Sequence, residues 1–206
     1  MALGRASRRR AVSLEEAAAP GAERCPACGE PLFVWIETEG WGPREDQIVE
    51  RCESCGLVVD PAPAPDPAAA AAELFGPGGG SNGHPGGPVT VRAANAASVQ
   101  AWLGAENWAA LRPGERALKP SPRAARLLAE RRGLKVTRIR FVAAAGMAGM
   151  WQTLLNLLTF HRDFAAQATS GALRPGRGKA LIAVLVEGGA VLARRGGMIE
   201  ITAEPS

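Results

Sequence analysis

The chain has no tyrosine, two histidines and no run of 18 apolar residues. The missing apolar run argues against a membrane span, which needs about 20 such residues. The basic start, with Arg8-Arg9-Arg10, is followed by no apolar segment of the kind a secretory signal requires, so a cytoplasmic protein is expected. His161 has no second histidine or carboxylate at ligand spacing and reads as a core or boundary residue, and His84, in a glycine-rich stretch, reads as solvated. Aromatic residues make up 5% of the chain and do not alternate with its arginines, as a stacking platform for single-stranded nucleic acid would require.

Cysteine is as sparse, with four residues, but all four fall between positions 25 and 55. They form Cys25-Pro-Ala-Cys28-Gly29 and Cys52-Glu-Ser-Cys55-Gly56, with 23 residues between Cys28 and Cys52. Two Cys-x-x-Cys pairs of this kind aim four thiolates at one tetrahedral zinc ion, and the glycines allow turns that expose backbone amides to the sulfurs. Two disulfides are the alternative, and they belong to oxidising compartments. A site with four thiolate ligands has no open coordination position, so the zinc at Cys25, Cys28, Cys52 and Cys55 is expected to be structural.

Between the pairs, Pro31–Glu37 and Gln47–Arg51 are rich in β-branched and aromatic residues and flank a turn with Gly40, Gly42 and Pro43, which predicts a hairpin. Trp35 and Trp41 read as core of this small unit. Residues 61–84 read as a linker, Pro/Ala-rich then Gly-rich. The pattern Gly78-Gly-Gly80-Ser-Asn-Gly83 in it follows no buried strand and is not taken as a phosphate loop. A strand is expected at 88–92, a helix with polar start at 95–104, and a helix capped by Ser121-Pro122 and stopped by Gly133. A second strand is expected at 135–142, with Val136, Arg138 and Arg140 on one face. Two apolar helices follow, one with a face at 150, 151, 154, 155, 158, 161 and 165, and one over 179–195 with basic ends, too short to span a bilayer, which has the small sheet as its expected partner and a membrane interface as the less favoured alternative; a last strand covers 198–203. Charge divides along the chain: residues 1–111 carry 8 basic and 14 acidic groups, residues 112–195 carry 16 and 4. The basic part permits nucleic-acid or anionic-membrane contact, and reads first as solvated arginine-rich surface.

Pro85-Gly-Gly-Pro-Val-Thr-Val-Arg92, Asn95-Ala-Ala-Ser98, Arg116-Ala-Leu118, Ser121-Pro122 and Gly133-Leu-Lys-Val136 together resemble the C-terminal part of class I S-adenosylmethionine-dependent methyltransferases that carry an N-terminal zinc ribbon. The resemblance implies a last strand lying antiparallel between the other two. The chain departs from that family in two ways. The run Arg116-Ala-Leu-Lys-Pro120 lacks the family's histidines, and 29 residues, 56–84, stand where the cofactor-binding half needs on the order of 100.

The expected fold class is therefore α+β. A small N-terminal zinc ribbon on a β-hairpin (21–60) follows a loosely ordered segment (1–20). The linker (61–84) joins it to a truncated α/β domain (85–206) with a three-stranded mixed sheet and about four helices. The resemblance and the missing half imply a non-catalytic zinc protein acting through a protein partner or a second copy on the exposed 88–92 edge, the arginine-rich helix 122–132 or the apolar face of 150–165. The alternatives are a methyltransferase whose S-adenosylmethionine half comes from another chain, and a zinc-ribbon nucleic-acid adaptor.

Overall fold

A computed structural model describes residues 23–38, 47–60, 63–76, 87–111, 117–159 and 177–206. Residues 1–20, Trp41, Gly78–Gly83, His84, Arg116 and His161 lie outside them. The expected hairpin is present as β1 (Phe33–Thr38) and β2 (Gln47–Arg51), paired antiparallel with a bulge between Val34 and Ile36. Trp35 meets the buried Trp108 edge to face, ring centroids 6.3 Å apart, which bears out its reading as packing.

The hairpin does not stand alone. Strands β3 (Val58–Asp60) and β5 (Ala117–Lys119) extend it to a four-stranded antiparallel sheet in the order β1-β2-β3-β5. A buried ion pair ties the last two strands, with Lys119 Nζ 2.6 Å from Asp60 Oδ2. One hydrophobic core runs from Cys25, Cys52 and Leu57 to Ile199 and Ile201, so the boundaries drawn at 60 and 84 do not separate two cores.

The linker reading needs correction over its first half. Residues Pro67–Phe75 form a helix, α1, with Asp66 accepting from the amides of Ala68 and Ala69 and with Pro67 in the first turn. Alanine has the highest helix propensity, and an Asp-Pro start supplies cap and preset φ, so this Pro/Ala composition favours a helix over a spacer. Ala70, Ala71 and Phe75 are buried, and Glu73 accepts from the amide of Leu118.

The second sheet consists of β4 (Val89–Ala94), β6 (Leu134–Phe141) and β7 (Met198–Pro205), in the order β4-β7-β6. The last strand lies between the other two, as expected. All its pairings are antiparallel, so the sheet is antiparallel and not mixed. The face assignment in β6 is also corrected. A bulge between Val136 and Arg138 leaves Thr137 and Arg138 both exposed, and Val136 then joins Ile139 and Phe141 against the core while Arg138 and Arg140 point outward.

Helix α2 (Val99–Gly104) starts at Ser98, which accepts from the amide of Ala101, and so is shorter than expected. Helix α3 (Pro122–Arg131) has the predicted ends: Ser121 accepts from the amides of Arg123 and Ala124, and Gly133 turns the chain at φ +66°. Helices α4 (Ala143–Thr159) and α5 (Arg177–Leu192) pack on each other. Helix α5 has its main packing on α4, where the small sheet was the expected partner. The buried side of α4 includes Met150 but also Gln152, Thr153 and Asn156, so its inward face is more polar than the stripe read from the sequence. No helix among the described residues is long and apolar enough to cross a membrane.

Candidate metal centre

The two cysteine turns repeat the same backbone design. In the first, the amide of Gly29 donates to Cys25 O (2.8 Å) and that of Cys25 to Glu30 O (2.8 Å); in the second, Gly56 donates to Cys52 O (2.8 Å) and Cys52 to Leu57 O (2.9 Å). Each turn closes through a left-handed glycine, Gly29 at φ +81° and Gly56 at φ +74°, a conformation a side chain would strain.

These turns bring all four predicted ligands together. Their Sγ atoms lie within 4.8 Å of one another, and two close approaches run between the turns: 3.5 Å for Cys25–Cys55 and 3.4 Å for Cys28–Cys52. A tetrahedron with zinc–sulfur bonds of about 2.3 Å has sulfur–sulfur edges near 3.8 Å, so the donor set suits such an ion, whereas a disulfide needs about 2.05 Å. None of the four cysteines is in a disulfide, and Cys25, Cys52 and Cys55 are buried while Cys28 is partly exposed.

Crowding sets the acidities. The Cys55 thiol, donating to Cys25, is the largest cause that holds Cys25 down to about 5; the amides of Cys28 and Ala27 add to it, and burial opposes it. The same hydrogen bond, followed by burial, raises Cys55, and burial pushes Cys52 up to about 11. One sulfur is thus an anion at neutral pH and at least two are protonated, so a metal ion entering the cluster must displace protons.

Sequence reasoning missed what holds the turns in place. The hydroxyl of Ser121, already the cap of α3, donates a short hydrogen bond to Cys55 O, and a Cβ at Gly56 would stand 3.1 Å from Ser121 Cβ. Arg123 donates to Ser54 O (3.0 Å) and Arg131 to Ala27 O (3.0 Å), so the two ends of α3 grip the second and first turn respectively. The available signal was the Ser121-Pro122 cap, which announced a helix start but not its neighbour. Two arginines of the basic segment are thereby engaged on backbone carbonyls, and outside it Arg92 pairs with Glu200 at 2.8 Å. Compared with known proteins, the chain matches no protein-family model, no curated protein and no solved structure.

Proposed function

We propose that the protein binds one structural zinc ion through Cys25, Cys28, Cys52 and Cys55, and that its methyltransferase-like part acts by binding a protein partner and not by transferring methyl groups. The observation that carries the metal reading is the convergence of four thiols on one point, backed on two sides by α3. Zinc here organises the shared core: the turns, α3 and the three-stranded sheet belong to one hydrophobic cluster.

Two features support the resemblance and its non-catalytic form. The strand order β4-β7-β6 has the central antiparallel last strand that the resemblance implies. The interval 56–84 contains β3 and α1, far short of the several strand-helix units a cofactor half requires. A partner strand would add at β4, the end strand of its sheet among the described residues, beside the contacts that α1 makes with it. Metal analysis of the purified chain is expected to return one zinc per chain, lost on replacing Cys52 with serine. Calorimetry of the zinc-loaded chain with S-adenosylmethionine is expected to show no binding; micromolar binding would establish the enzyme reading instead.

A further inference from the structure

The metal site leaves the outer side of α5 unexplained. Leu181, Ile182, Val184, Leu185 and Leu192 are 44–88% exposed, more large apolar side chains than any other element leaves in solvent among the described residues. They extend over twelve residues of helix, about 16 Å from first to last. Gly188 and Gly189 lie among them with open space above both. The inner side is spent on packing: Ala183, Glu187 and Ala190 are buried.

Charge narrows the choice of what covers this face. Glu187 is the one acidic residue from Arg177 to Arg195, and it is turned inward. Its carboxylate accepts from Gln100 Nε2 (2.7 Å) and from the amide of Gly197 (2.8 Å). In sequence the apolar stretch is flanked by basic residues on both sides, Arg177 and Lys179 before it and Arg194 and Arg195, both exposed, after it. A second copy of α5 laid on the first, parallel or antiparallel, would set basic end against basic end with no acid to compensate. A nucleic acid would meet the charges but offers no apolar phase to Leu185 and Leu192. An anionic lipid surface offers both, a charged headgroup layer and an acyl boundary beneath it.

We propose that α5 is a membrane-surface helix, which lies in the headgroup region of an anionic bilayer with Leu181, Leu185 and Leu192 dipped into the acyl boundary. This surface is separate from the metal centre and from the β4 edge. The test is co-sedimentation of the zinc-loaded full chain with vesicles of phosphatidylcholine alone and of phosphatidylcholine and phosphatidylserine in equal parts. The chain is expected to pellet with the mixed vesicles and weakly with the neutral ones. Leu185→Glu, which puts a charge on the apolar face, and Arg194→Glu, which reverses one at its end, are each expected to weaken partitioning roughly tenfold. Circular dichroism shows whether each variant is folded, and Arg194→Glu decides the matter if Leu185→Glu is not. No pelleting, equal pelleting on both vesicle types, or folded variants that pellet like the parent would overturn the proposal. So would a dimer in solution that Leu185→Glu splits in the absence of any lipid partitioning.

Discussion

Replacing Ser121 with alanine removes one oxygen that works in two directions. It accepts from the amides of Arg123 and Ala124, and it donates to the buried carbonyl of Cys55. Loss of a helix cap costs about 1 kcal/mol. A buried carbonyl left without its donor adds about 1–3 kcal/mol. The expected total is about 3 kcal/mol, which at a urea slope near 2 kcal/mol per molar moves the unfolding midpoint of the zinc-loaded chain down by about 1.5 M. The part that falls on Cys55 reaches the metal: a loss of about 1 kcal/mol or more there weakens zinc by roughly fivefold, read by competition with a chromophoric chelator. Ser121→Asp separates the two roles. A carboxylate still caps α3 but cannot donate to Cys55 O at neutral pH, so stability recovers in part while zinc affinity stays low. If Ser121→Ala leaves zinc affinity within about twofold of the parent, the helix does not support the metal turns in the way the hydrogen bonds indicate.

Further tests bear on the same framework. Zinc affinity is expected to rise with pH by at least about a hundredfold per unit around neutrality, because Cys52, held near 11, and Cys55, raised further, each give up a proton to ligate; a pH-independent affinity in the same chelator assay contradicts this. Lys119→Met removes the ammonium paired with the buried Asp60 carboxylate and is expected to cost about 3–5 kcal/mol in urea unfolding, much of it recovered when Asp60 is also made apolar. Gly146→Ala would set a Cβ 1.9 Å from Oε1 of Glu187, a carboxylate kept from swinging aside by one hydrogen bond to each oxygen, so a loss of about 3 kcal/mol is expected; a neutral result by the same measurement means that α4 and α5 can separate freely.

The four-cysteine cluster was legible because its information is local. A Cys-x-x-Cys-Gly turn is a property of five consecutive residues, and two such turns need one hairpin to meet. The ends of α3 were legible for the same reason, since Ser121, Pro122 and Gly133 act on their own backbone. Helix α1 was hidden by composition: the same alanines and prolines serve a stiff spacer or a capped helix, and burial of Ala70, Ala71 and Phe75 decides for the helix. The face of Val136 was hidden by a single extra residue, because a bulge shifts a two-residue period that alternation takes as unbroken.

Local sequence set the candidate ligands, the turn glycines that shape their loops, the cap and stop of α3 and the segments of β1, β2, β4, β6 and β7, all through neighbours within a few positions, whereas the short β3 and β5 carried no such signal. Tertiary structure alone decided which distant pieces share a core. It brought β5 in as the fourth strand beside the cysteine hairpin and laid α3 across both metal turns. It also turned Glu187 inward and left the leucines of α5 outside. These are contacts between residues tens of positions apart, and neither propensity nor spacing carries information about which surface a helix will meet.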